Sequence, residues 1–190
     1  DVYKRQPSDQ PMTLADGLAL SKNTITAQVM QQVGPARVAE VARALGVRQS
    51  KLEEVPSLAL GTSPVTLKEM ISAYSSIVNL GRYVEPVLIT SIEDRHGKVL
   101  ETFAKSVPEE VFQPRAAQTL RNTMRGAVDR GTATAIRTRY GIQADVAGKT
   151  GTTQDNTDGW FILMHTRVVA GAWAGFNDGR ITLRSDYWAV

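Results

Sequence analysis

The last third of the chain constrains the fold most, because there the hydrophobic period drops to two. From Val168 to Phe176, Val169, Gly171, Trp173 and Gly175 alternate against Val168, Ala170, Ala172 and Ala174. Successive strand residues point to opposite faces, so this spacing predicts a strand. Small residues on one face would let helices pack close. Trp160–Met164 predicts another strand. A third carries Lys149-Thr150-Gly151-Thr152, ahead of the turn-rich Thr153-Gln154-Asp155-Asn156-Thr157-Asp158-Gly159. Three consecutive strands joined by short turns are antiparallel.

Upstream the signals are helical. Thr13 precedes Leu14-Ala15-Asp16, a cap followed by an acid in the first turn, and that short helix ends near Leu20. Ile25, Val29 and Val33 recur every four residues and predict a second helix. Gly34-Pro35 ends it and opens a third, with Val38, Val41, Ala42 and Leu45 as its apolar stripe and Gly46 as its stop. Residues 51–64 read as irregular. Thr66–Leu80 is the clearest helix. Thr66 and Glu69 form a capping box, Val65 and Met70 fit a hydrophobic staple, and Leu67, Met70, Ile71, Tyr74, Ile77 and Val78 share a face. Val87–Ile92 and Val99–Phe103 flank Asp94-Arg95-His96-Gly97, a hairpin with Gly97 at positive φ. Gln113–Asp129 predicts a helix with Ala117, Leu120, Met124 and Val128 inward. Helices first and a β-meander last argue α+β: an antiparallel β-sheet flanked by helices.

Charge and composition exclude several classes. The 22 basic and 19 acidic residues among 190 give +3 with no like-charge block, so nucleic-acid binding has little support beyond the high pI. The absence of cysteine excludes disulfides and thiolate chemistry. No apolar run reaches the about 18 residues of a membrane span, and no signal-peptide pattern is visible. The two histidines, His96 and His165, lack metal-motif spacing and read as turn residues, which leaves a Ser-His-Asp triad without its base.

Two short segments carry chemistry. In Lys149-Thr150-Gly151-Thr152 a cation, a hydroxyl and a glycine at a strand edge suit an extended, carboxylate-bearing substrate. A surface turn would use the same residues. Ser21-Lys22-Asn23 fits helix punctuation, with Asn23 as a cap, and equally fits a loop presenting a hydroxyl and an amide to a peptide. Trp160 and Trp173 fit core or sheet packing or a substrate platform, and Arg121 and Arg125 fit a solvated helix face.

Ser-x-Asn followed far downstream by Lys-Thr-Gly-Thr on a strand is the pattern of the penicillin-recognising serine acyltransferases. The segments Pro11–Ala15, Ala19–Thr24, Val33–Val38, Leu60–Thr66, Gly131-Thr132-Ala133, Ala147–Thr153 and Gly171–Arg180 together resemble the transpeptidase domain of class A, bifunctional penicillin-binding proteins. The resemblance runs from about Pro11 to Trp188. It implies a β-lactamase-like fold, here incomplete, in which residues 11–190 form part of the domain behind a ragged segment 1–10. It also implies crosslinking of peptidoglycan. A serine attacks the penultimate D-Ala carbonyl of a D-Ala-D-Ala stem peptide, terminal D-Ala leaves, and the acyl group passes to a neighbouring amine. β-Lactams acylate the same serine. By position Ser21 is the proton relay, Asn23 the substrate-amide binder and Lys149 the electrostatic centre. Thr150 and Thr152 bind the substrate carboxylate, the Thr152 N–H is an oxyanion donor, and Gly151 permits close approach. No cofactor or metal is implied. An upstream glycosyltransferase domain and an extracytoplasmic location, anchored by a membrane segment outside this chain, are.

Two departures stand out. No lysine has a serine three residues before it; the nearest match is Thr102-Phe103-Ala104-Lys105. The family's nucleophile would therefore precede Asp1, and the chain alone is expected to be inactive. Leu163-Met164-His165-Thr166 replaces a Gly-Tyr-Thr-Pro type of turn. Both ends look cut: Asp1–Gln6 is polar and patternless, and Trp188–Val190 stops in an apolar stretch. A noncatalytic module binding cell-wall peptide, or a β-lactamase-like serine hydrolase, are the alternatives.

Overall fold

The computed structural model describes residues 11–153, 156–178 and 180–183. The segment read as ragged (residues 1–10), Gln154 and Asp155 of the predicted turn, Gly179, and the end of the resemblance at Trp188 lie outside the described residues. Six α-helices, a 3-10 turn and seven strands follow as α1 Leu14–Ala19, α2 Asn23–Val33, α3 Pro35–Leu45, the 3-10 turn Pro56–Leu60, α4 Leu67–Val78, β1 Arg82–Tyr83, β2 Ser91–Glu93, β3 Val99–Thr102, β4 Glu109–Glu110, α5 Pro114–Asp129, α6 Ala135–Thr138, β5 Ala147–Thr152, β6 Asp158–His165 and β7 Val168–Gly175. The class is α+β, as the order of periods indicates.

The C-terminal meander forms as expected, with strand order β5-β6-β7 and every pair antiparallel. Lys149 sits opposite Ile162, Gly151 opposite Trp160, and Trp160 opposite Trp173. One face, carrying Ala147 and Met164 with Val169, packs on Met124 of α5, Leu18 of α1 and Tyr74 and Val78 of α4. The other, carrying Phe161 and Leu163, packs on Val128, Ala133 and Ile136. In β7 the alanines are exposed; the close approach of a helix happens on the glycine face instead. A Cβ at Gly171 would lie 2.9 Å from Ile71 and 3.1 Å from Leu67 of α4.

Helix α4 has the Thr66–Glu69 capping box in full. Its buried residues are Glu69, Ser72, Ala73, Ser76 and Ile77, so burial reaches well beyond the apolar stripe. The small, polar side is packed because α3 ends against it: Ser76 donates to the Leu45 carbonyl at 2.7 Å, and Ala73 joins Ala39, Val47 and Leu52 in a core cluster. In α2 the stripe of Val29 and Val33 turns out to be exposed and Met30 is buried. The hairpin forms with Gly97 at φ 80°, and the Asp94 carboxylate accepts from the His96 and Lys98 amides. Its first strand is shorter than expected. Pairing stops at Thr90, whose carbonyl accepts from the Phe103 amide, so 87–90 carry no ladder. The irregular segment contains the 3-10 turn, closed by Gly61 in the left-handed region at φ 79°.

Candidate active site

Thr13 caps α1, and Asp16 ties that helix to α5 through an ion pair with Arg130 at 3.0 Å. Hydrogen bonds from Thr13 and then Arg130 hold Asp16 below the usual carboxylate range. The C-terminal end of α1 is packed tightly. Ala19 is fully buried, a Cβ at Gly126 would lie 3.2 Å from its side chain, and one at Gly131 would lie 2.1 Å from its carbonyl oxygen. Only glycine allows this approach, and it lets the Thr132 amide donate to the Ala19 carbonyl at 3.2 Å.

The chain then turns sharply. Ser21 takes the left-handed conformation at φ 52°, which costs an L-residue free energy and holds only where its surroundings enforce it. Its amide donates to Leu18, and that of Lys22 to Gly17. The turn points the Ser21 hydroxyl at β5. Lys149 Nζ donates to Ser21 Oγ at 2.7 Å and to the Thr150 carbonyl at 2.7 Å. Burial holds the Lys149 ammonium below the ordinary range of a lysine, because its charge gives up solvation.

Thr150 lies on the opposite face of β5, where its hydroxyl meets that of Thr132 at 2.6 Å. Thr152 ends β5 and is exposed. A Cβ at Gly151 would sit 3.3 Å from that of Trp160. Because β5 is an edge strand, alternate backbone groups of this segment point away from β6.

Asn23 is exposed and opens on a cleft of about 860 Å3 whose wall also includes Thr152, Thr62, Ser63, Trp160 and Trp173. Next to it a second cavity, of about 300 Å3, runs beneath Lys149 and is lined by Ala42, Leu52, Met70, Tyr74 and Ile162. Thr152, Thr153, Gly61, Ser63 and Trp160 border both. The structure thus brings Ser21 and Lys149 into direct contact and sets Asn23 and Thr152 on one cleft.

Two readings of local sequence need correction. Asn23 is not the cap of α2: the helix starts at Asn23 itself, with Lys22 at the cap position and no side-chain cap bond, because the reversal at Ser21 brings the backbone into the helix one residue early. Arg121 and Arg125 do not form a solvated face; both pair with Asp145, at 3.3 and 2.5 Å, and the Arg121 side chain is 15% exposed. Trp173 packs on the sheet rather than in the core: it is exposed, its indole N–H donates to Asp158 at 2.8 Å, and its ring tilts 55° against its cross-strand partner Trp160 at 6.4 Å.

Sequence reasoning left two contributors out of the site. Thr132 lies in a segment noted only for its resemblance. Glu69 was read only as part of a cap, yet its buried carboxylate also accepts from the Gln49 and Ser50 amides at 2.7 and 2.8 Å and from the Ser50 hydroxyl, which anchors the start of the loop that walls the cleft. Burial pushes this carboxyl up, but the bonds from Ser50, Gln49 and Thr66 outweigh it and hold it at about 2. Among the described residues no cluster of three or more His, Cys, Asp or Glu could hold a metal ion, and no helix is long and apolar enough to cross a membrane.

The chain is similar in sequence and fold to known proteins. Penicillin-binding protein 1B of Haemophilus influenzae is 32% identical over 176 residues, covering 93% of this chain and 22% of that protein. Penicillin-binding protein 1A of Aquifex aeolicus is 37% identical over 168 residues, covering 87% of the chain and 22% of that protein. The chain therefore spans about a fifth of the length of these relatives. The crystal structure of Penicillin-Binding Protein 1A from Haemophilus influenzae superposes with a TM-score of 0.84 at 25% identity, over 93% of this chain and 32% of that one. The family model for the penicillin binding protein transpeptidase domain matches residues 1–166. With that match over most of its length, the chain belongs to the penicillin-binding protein transpeptidase domain family.

Proposed function

We propose that this chain is part of a peptidoglycan D,D-transpeptidase of the class A, bifunctional kind, and that residues 11–190 supply the substrate-recognising part of its penicillin-binding site. The observation that carries this is the contact between Lys149 Nζ and Ser21 Oγ, with Lys149 and Thr152 lining the cavity that adjoins the cleft of Asn23 and Thr152. An ammonium group donates and cannot accept, so Ser21 receives a hydrogen from Lys149 and keeps its own for another partner. That is the state a proton relay needs: the Ser21 hydroxyl can hand its hydrogen to a leaving amine and be resupplied by the cation behind it. Lys149 and the hydroxyls of Thr150 and Thr152 attract the terminal carboxylate of a D-Ala-D-Ala stem peptide or of a β-lactam. The Asn23 amide meets a substrate peptide group, and the Thr152 N–H stabilises the oxyanion. Gly151 leaves room for the approach.

The attacking serine is not among the 190 residues in a Ser-x-x-Lys setting. We assign it to a preceding segment whose apolar face occupies the cavity beneath Lys149, lined by Leu52, Met70 and Tyr74. The acyl-enzyme splits one difficult transfer into two easier ones. A preceding glycosyltransferase domain, a membrane anchor and an extracytoplasmic location belong to the same proposal.

Labelled penicillin tests it. The full-length protein is expected to take up one equivalent on a serine, and the 190-residue chain none. A stoichiometric adduct on the chain alone overturns the assignment of the nucleophile. The second reading is a noncatalytic module that holds cell-wall peptide, which a full-length sequence without an upstream Ser-x-x-Lys would support. A full-length protein that binds a D-Ala-D-Ala peptide but is never acylated decides for that module.

A further inference from the structure

Thr132 has no role in the function proposed above, yet it touches both halves of the site. Its amide donates to Ala19, two residues before Ser21, and its hydroxyl lies 2.6 Å from that of Thr150, next to Lys149. Either oxygen can be the donor in that second contact. A hydroxyl has one hydrogen to give, and a carboxylate only accepts. For Thr150 to donate to a bound carboxylate, it must take its other bond as an acceptor.

We propose that Thr132 is a positioning residue for the substrate carboxylate, donating its hydroxyl hydrogen to Thr150 Oγ1 so that the Thr150 hydrogen is left for that carboxylate. This rests on the assignment of Thr150 to the carboxylate. The chain Thr132 O–H, Thr150 O–H, carboxylate runs in one direction, and each bond polarises the next. In the opposite direction Thr150 spends its only hydrogen on Thr132 and meets the carboxylate with lone pairs. The Ala19 carbonyl fixes the Thr132 backbone, and Gly131 admits that carbonyl, so the hydroxyl is held at one distance from β5.

The test compares acylation of the full-length protein by a penicillin and by its methyl ester, in Thr132→Val, Thr132→Ser and the unsubstituted protein. Each comparison is a ratio within one preparation, so a partly folded variant still gives a valid reading. In Thr132→Val the preference for the free acid over the ester is expected to fall about threefold, because Thr150 loses the hydroxyl that orients and polarises its donor toward the carboxylate. The loss appears in the binding constant, with the limiting acylation rate little changed, and Thr132→Ser restores it. An unchanged acid-to-ester ratio in Thr132→Val overturns the inference and leaves the transpeptidase assignment intact. No acylation of the unsubstituted protein overturns both.

Discussion

Lys149 Nζ and Ser21 Oγ lie 2.7 Å apart across 128 positions of sequence. A left-handed serine after α1 and a half-buried lysine on an edge strand are each unfavourable alone. Together they make a polarised hydroxyl beside the cavity that Lys149 lines. The packing of Ala19 against α5 and Gly131 makes the meeting possible.

The ammonium group lowers stability where it sits. Burial depresses the Lys149 pKa, so at neutral pH the folded state carries a charge that the unfolded chain solvates better. Stability is therefore expected to rise as pH climbs through the folded pKa toward the unfolded value of 10.5. Lys149→Met removes the charge, and chemical denaturation should show it more stable while β-lactam acylation slows. A less stable Lys149→Met variant contradicts this account of the lysine.

Gly131 is the hinge of the site's assembly. A Cβ there would press on the Ala19 carbonyl at 2.1 Å and on the Ala127 backbone at 2.8 Å. Gly131→Ala should cost about 2–3 kcal/mol by overpacking. It should also slow penicillin acylation, because the displaced end of α1 carries Ser21. Full activity in Gly131→Ala would mean that Ser21 is held by other contacts.

Glu69 is expected to contribute to the acid limit of the fold. Its carboxyl, 4% exposed, is held at about 2 against an unfolded value of 4.5. A depressed carboxyl stabilises the fold above the unfolded pKa, and that contribution fades as pH falls from about 4.5 to 2, by roughly 3 kcal/mol at most. Glu69→Gln should remove the acid-dependent part of the loss and lower stability at pH 7. Urea titrations at several pH values measure both. An unchanged pH profile in Glu69→Gln assigns the acid limit to other carboxyls.

What the sequence made legible was local. The capping box of α4, the glycine turn of the hairpin and the three-strand meander rest on residues a few positions apart, and they appear as expected. Ser21 and Lys149 were paired by resemblance, since neither helix nor strand periodicity relates residues so distant. The failures share one cause. Arg121 and Arg125 look solvated on a helical wheel until Asp145 arrives from 24 and 20 residues away. Glu69 reads as a cap until Gln49 and Ser50 fold over it. Val29 and Val33 keep a helical spacing without facing the core, because α2 turns Met30 inward instead. Thr132 gains its contact only after Gly131 admits α1.

The most direct measurement is a double-mutant cycle on penicillin acylation of the full-length protein, using Ser21→Ala and Lys149→Ala. If the two groups act as one relay, each single change should slow acylation on the order of a hundredfold, and the double variant should be little slower than either single one. Effects that multiply, with the double variant slower by the product of the two, would show that the lysine and the serine act independently and would contradict the account.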